Sequence, residues 1–253
     1  MIGPGTRVLD VAGRVLVPGY IDPHVHPAHL ITPSALARHL LPLGTTAVVA
    51  DTLQFWELGG LAAFRRVADG LSRAPLKFYW MIRPHAQSRS ADEGRRFRVR
   101  ELAQALAHPW TVAIGEVTRW PDAWNGRPDL LVRLDLALRR GQRVEGHTAG
   151  AAADKMAAIA AAGFTADHEP ISAAEGLART RQGLGGMLRE ASLRPDLAGL
   201  PDALKEAPGL ASRVRVTCDG PMPACRRAPG SGHRRGRWRR SERWIPCVLR
   251  LFL

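Results

Sequence analysis

From about residue 14 to residue 220, short apolar runs rich in Val, Thr, Ile and aromatics alternate with longer Ala/Leu/Arg stretches. Runs of this length and make-up, bounded by Gly, Pro and Asp, predict strands; the stretches between them repeat apolar residues at helical spacing. Eight strands are predicted: RVLVPGYID, TTAVVADT, LKFYWMI, TVAIGEV, QRVEGHT, FTADHE, GGMLREAS and RVRVTCDG. The intervening helices are PSALARHLLPL, LAAFRRVADGL, RVRELAQALA, PDLLVRLDLALRR, AAADKMAAIAAA and AAEGLARTRQG. Strands that alternate with helices imply a parallel sheet of the α/β class, and eight repeats fit a (β/α)8 barrel. A doubly wound open sheet is the competing arrangement.

The polar residues fall where a barrel would use them. His24 and His26 end the first predicted strand, Glu116 the fourth, His147 the fifth, His168 the sixth and Asp219 the eighth. In a barrel all these ends open on one face, so residues nearly 200 positions apart converge there. Side chains at i and i+2 of a strand point the same way, which suits joint coordination by His24 and His26. Imidazole and carboxylate donors suit Zn, Fe or Mn. Four histidines and two carboxylates suffice for two ions if one carboxylate bridges, and Glu116, on the strand across the barrel, is the natural bridge. Each motif alone has a structural explanation: an HxH pair is often structural, Asp167-His168-Glu169 reads as a turn, and Glu116 as a strand-end acid. Their common placement favours a metal centre. His29 is close enough to touch a substrate, whereas His39, His85, His108 and His233 lack this placement.

Composition changes the picture in two places. The net charge of +13 suggests a nucleic-acid footprint, but residues 224–253 hold nine Arg and one Glu, which leaves +5 for the rest. Three cysteines, Cys218, Cys225 and Cys247, with no CxxC spacing argue against a disulfide framework or a thiolate zinc site, and a reducing cytoplasm is the expected compartment. No apolar run reaches membrane-spanning length, and the N-terminus lacks the basic-then-apolar order of a signal peptide, so no membrane partner is expected.

The ordered set PGYIDPHVH, LPLGTTAVVAD, AIGEV, EGHTAG, TADHEP, MLREAS and TCDG resembles the amidohydrolase superfamily and, more narrowly, the adenine deaminase family. The resemblance covers roughly residues 12–222. It implies a barrel holding two divalent ions, Mn2+ or Fe2+ and alternatively Zn2+, on His24, His26, Glu116, His147, His168 and Asp219. Glu116 stands where many amidohydrolases carry a carboxylated lysine. Two departures bear on substrate: Pro27-Ala28-His29 replaces a Glu-Ser-Ser segment, and Asp51-Thr52-Leu53-Gln54 replaces Asp-Pro-His-Glu. By the same resemblance, residues 1–17 are a remnant of an N-terminal β-segment and 18–222 the hydrolase barrel. The Arg-rich residues 223–253 depart from the family and read as disordered or out of frame.

The reaction implied is hydrolytic deamination of adenine, a small-molecule purine, or of a related heterocycle. Asp219 serves as ligand and proton acceptor. Glu169 is either the acid that protonates the ring or a residue that orients His168. Arg189 and Glu190 position the base or pair with each other, and His29 lines the substrate side. Rival readings are another amidohydrolase acting on a cyclic amide, an inactive truncated product, and a nucleic-acid binder through the basic tail. A homo-oligomer is compatible with all of them.

Overall fold

A strand covered by helices on one side and packed into a barrel on the other must be apolar along its whole length. Thr111–Val117 meets that condition, with every residue but Val112 buried. A computed structural model describes residues 3–189, 204–205 and 207–220. Its elements are β1 (Tyr20–Val25), α1 (Pro33–Leu40), β2 (Thr45–Asp51), α2 (Leu53–Leu71), β3 (Lys77–Ile82), α3 (Glu93–Arg96), α4 (Val99–Leu106) and β4 (Thr111–Val117). There follow α5 (Trp120–Trp124), α6 (Pro128–Leu138), β5 (Arg143–Gly146), α7 (Ala153–Ala161), β6 (Ala166–Asp167), α8 (Ala173–Arg181), β7 (Gly185–Arg189) and β8 (Val214–Thr217). All neighbouring strands pair in parallel, in the order β1 to β8, as the barrel reading expects and an open doubly wound sheet does not.

The helices present one apolar face to the sheet. In α4 that face is Leu102, Ala105 and Leu106, at the i, i+3, i+4 spacing. Side-chain caps start two of them: Thr32 Oγ1 accepts from Ala35 N at 3.3 Å before α1, and Ser172 Oγ accepts from Glu175 N at 3.2 Å before α8. The helix predicted from Leu61 has a forerunner: α2 is broken at Gly59–Gly60, where Gly60 takes φ +56°, and Leu53–Leu58 adds a turn that buries Phe55 and Trp56.

The first strand starts later than RVLVPGYID predicts. Val15 and Leu16 are 85% and 78% exposed, and pairing begins only at Tyr20. In the seventh run, the strand is described to Arg189; Glu190 lies outside the described residues, as does the tail from residue 221. Among the described residues no helix is long and apolar enough to cross a membrane.

β8 meets β1 through side chains. The Thr217 hydroxyl lies 2.6 Å from the His24 carbonyl oxygen and 2.7 Å from Asp22 Oδ1, and Cys218 N–H donates to Asp22 Oδ2 at 3.4 Å. Asp22 also accepts from His24 N–H at 3.3 Å. The Asp of PGYIDPHVH is thus a clasp that draws the last strand against the first.

Candidate metal centre

Strand geometry delivers six of the predicted side chains to one point. His24 lies in β1 and His26 follows it by one residue; Glu116 lies in β4; His147, His168 and Asp219 sit one, one and two residues beyond β5, β6 and β8. His24 Nε2 and His26 Nε2 are 3.2 Å apart, and Asp219 Oδ1 lies 3.4 and 3.3 Å from them. On the other side His147 Nδ1 is 3.1 Å from His168 Nε2. Glu116 joins the two sets: Oε2 lies 3.6 Å from His26 Nε2, while Oε1 contacts His147 Nδ1 and lies 3.4 Å from His168 Nε2.

These separations are a test of fit. Ligands about 2.0–2.2 Å from an ion, at tetrahedral to octahedral angles, stand roughly 2.8–3.6 Å from each other. The pairs just given, the short His147–Glu116 contact excepted, lie between 3.1 and 3.6 Å. Within each of the sets His24/His26/Asp219 and Glu116/His147/His168, all donor atoms are within 4.8 Å of one another. The donor chemistry is nitrogen and carboxylate oxygen, and the residues present fit a divalent metal site.

Electrostatics sharpen the picture. Burial works against charge on His24, yet the Glu145, Asp219 and Glu116 carboxylates outweigh it and hold the imidazole well above its usual range. His168, also disfavoured by burial and by His24, is raised to about 9 by Glu116 and Glu145. Burial opposes ionisation of Glu116 and Asp219 too, but their histidine neighbours keep both well below the carboxylate range. A cation-seeking cluster of this kind exchanges protons for metal, because imidazole must be neutral to ligate.

Three residues that the strand-end argument did not assign complete the site. Glu145, two positions before His147, is buried; its Oε1 accepts from His168 Nδ1 at 2.8 Å and lies 2.8 Å from His24 Nδ1. Arg83, just past β3, donates from Nε to Asp51 Oδ2 at 2.7 Å and from Nη2 to Glu116 Oε2 at 2.9 Å. Its Nη1 also donates to the Glu116 carbonyl at 2.7 Å. The signals that could have found them are period-two spacing from His147 for Glu145 and the charged ends of strands two and three for Asp51 and Arg83.

Of the remaining predicted residues, Arg189, Glu169 and His29 stand beside these groups. Arg189 Nη1 donates to Glu169 Oε1 at 2.5 Å and to Asp219 Oδ2 at 3.0 Å, and its Nη2 donates to Glu169 Oε2 at 3.0 Å. Glu169 Oε1 is also 3.3 Å from His147 Nδ1. His29 is exposed, its ring centre 5.3 Å from that of His26. Gly115 is needed between these groups: with φ +152°, a Cβ there would lie 2.8 Å from the Glu145 carbonyl oxygen.

Fold and site together define the class: a (β/α)8 barrel with a clustered histidine–carboxylate site. Among solved structures, the N-acetyl-D-glucosamine-6-phosphate deacetylase of Mycobacterium smegmatis shares the fold. Its TM-score is 0.54 at 15% identity, covering 80% of this chain and 63% of that one. No family model matches the chain. By sequence the chain is a homologue of the adenine deaminases. A protein of Oceanobacillus iheyensis that carries adenine deaminase as a provisional name is 32% identical over 220 residues, 86% of this chain. The adenine deaminase of Nitratidesulfovibrio vulgaris is 34% identical over 218 residues, 85% of this chain. The chain spans 38% of the length of each of these relatives.

Proposed function

We propose that this barrel is the catalytic unit of a metal-dependent hydrolase that removes the exocyclic amine of adenine, or of a closely related aminated purine, as ammonia. The observation that carries the reading is Glu116, whose two oxygens face the two histidine sets on opposite sides. The homology to adenine deaminases supports the substrate class. Mn2+ or Fe2+ is the proposed pair, with Zn2+ as the alternative. Such ions, held by His24, His26, Asp219, Glu116, His147 and His168, would acidify water and polarise the carbon under attack.

The chain's own residues account for the proton traffic. Asp219 is the carboxylate of the set most open to the mouth, its side chain 20% exposed. It takes a proton at Oδ1 and returns it toward the leaving amine, while Arg189 holds Oδ2. Both Glu169 oxygens accept from Arg189, which disfavours ring protonation, and the His168 ring is held by Glu145 rather than by Glu169, whose Oε1 lies 3.9 Å from His168 Nε2. Arg189 then positions two carboxylates at once, and His29 supplies a polar edge beside His26.

The test is an adenine assay on protein reconstituted with Mn2+ or Fe2+, following ultraviolet absorbance and ammonia together. Hypoxanthine and ammonia, both lost in His24→Ala, are expected. Turnover of a cyclic amide without ammonia would place the reaction elsewhere among amidohydrolases.

A further inference from the structure

We infer that Glu145 is a positioning residue shared by both metal sites, one buried oxygen setting the tautomer of one histidine in each. The inference rests on the two-ion reading above and goes beyond it. Glu145 Oε1 accepts from His168 Nδ1 at 2.8 Å, and it lies 2.8 Å from His24 Nδ1, within ion-pair reach though not in hydrogen-bond geometry. His24 belongs to the set with His26 and Asp219; His168 belongs to the set with His147 and Glu116. An acceptor at Nδ1 keeps the proton there and leaves the Nε2 lone pair for an ion. In both rings Nε2 is the atom that faces the other donors of its set.

The geometry makes this one device rather than two coincidences. The His24 and His168 rings stack with centres 4.0 Å apart and planes 24° apart, and both approach the same carboxylate oxygen. Glu145 starts on β5, His168 follows the adjacent β6, and His24 comes from β1 on the opposite wall of an eight-stranded ring. The Glu145 and His24 side chains therefore meet inside the barrel. Glu116 ties the two sites from the front through their donor atoms, and Glu145 ties them from behind through the far nitrogens.

The decisive variant is Glu145→Gln, which keeps volume and an acceptor oxygen but removes the charge. Mn2+ would be titrated by calorimetry into the chelator-stripped full chain, with the electron paramagnetic resonance of the pair recorded at saturation. The wild type is expected to take two ions, and Glu145→Gln to lose about 10–100-fold in affinity at both sites together. His147→Ala, the control, should weaken one site far more than the other. A Glu145→Gln protein weakened at one site only, or at neither, overturns the inference while leaving the two-ion reading intact. A wild type that takes no pair of ions overturns both. Nitrogen-15 imidazole spectra of the zinc-loaded wild type test the same point without a variant. Nδ1–H with Nε2 ligation is expected for His24 and His168, and ligation of either through Nδ1 overturns the inference.

Discussion

Removing the Arg83 guanidinium should destabilise the protein more than almost any other single change at the mouth. Arg83 is 2% exposed and its partner Asp51 is fully buried, joined Nε to Oδ2 at 2.7 Å. The same guanidinium donates to Glu116 Oε2 at 2.9 Å and to Gln87 Oε1 at 3.1 Å. Arg83→Met keeps the apolar stem and strands two buried carboxylates. Breaking a buried pair in this way costs about 3–5 kcal/mol, because the abandoned charge has no water to return to. For an ordered region of this size each kcal/mol moves Tm by about 2–4 °C, so a fall of roughly 6–20 °C is expected in a chelator-treated thermal melt. Divalent ions at Glu116 should recover part of the loss. The partner variant is Asp51→Asn, whose side-chain oxygen can still accept the Leu53 N–H that Asp51 Oδ1 receives at the start of α2. If the pair acts as a unit, the double variant is less destabilised than the sum of the singles by about 2 kcal/mol or more. A loss below about 1 kcal/mol for Arg83→Met, or strict additivity with Asp51→Asn, would refute the argument.

Gly115→Ala should destabilise by about 2–5 kcal/mol in a urea melt, since overpacking against Glu145 adds to strain at positive φ. Asp219→Asn should cut turnover by about 10²–10⁴-fold in a steady-state ammonia assay, as expected for loss of a positioned proton acceptor. In metal-free protein, His168, raised to about 9, contributes stability below its unfolded value of 6.5 and loses it as pH rises through 9. Glu145, lowered to about 2, contributes above 4.5 and loses it as pH falls through 2. Tm of the stripped protein should therefore peak between roughly pH 4.5 and 6.5, and a flat profile from 4 to 9 would contradict this. Metal affinity should run the other way, strengthening from pH 6 toward 9 with proton release in calorimetry.

The barrel was legible because its strands are continuous apolar runs and its helices keep a one-sided apolar spacing; Leu102, Ala105 and Leu106 are where the spacing puts them. The gathering of His24, His26, Glu116, His147, His168 and Asp219 was legible because strand ends in a barrel share a face, a rule that needs no distances. What that reading left out is what only distance shows. Arg83 and Asp51 look like ordinary strand-end charges until they are found 2.7 Å apart in a buried site. Glu145 has the same chemistry as any strand carboxylate, and its role depends on two histidines 121 and 23 positions away. Boundaries failed where tertiary contact overrode composition: Val15 and Leu16 look like strand residues but find no neighbour to pair with among the described residues.

The Asp22 clasp sets an order of assembly. The set His24/His26/Asp219 draws its first two members from the beginning of the barrel and its third from 193 positions later, and Thr217 and Cys218 close on Asp22 just before that third member. Glu116, His147 and His168 need only the middle of the chain. During synthesis, the second set can be complete while the first still waits for β8. Long-range pairings of this kind are intrinsically slow to form. A metal ion reaching the first set would then act as a latch on the finished ring, holding the two ends of the sheet together after the chain has left the ribosome.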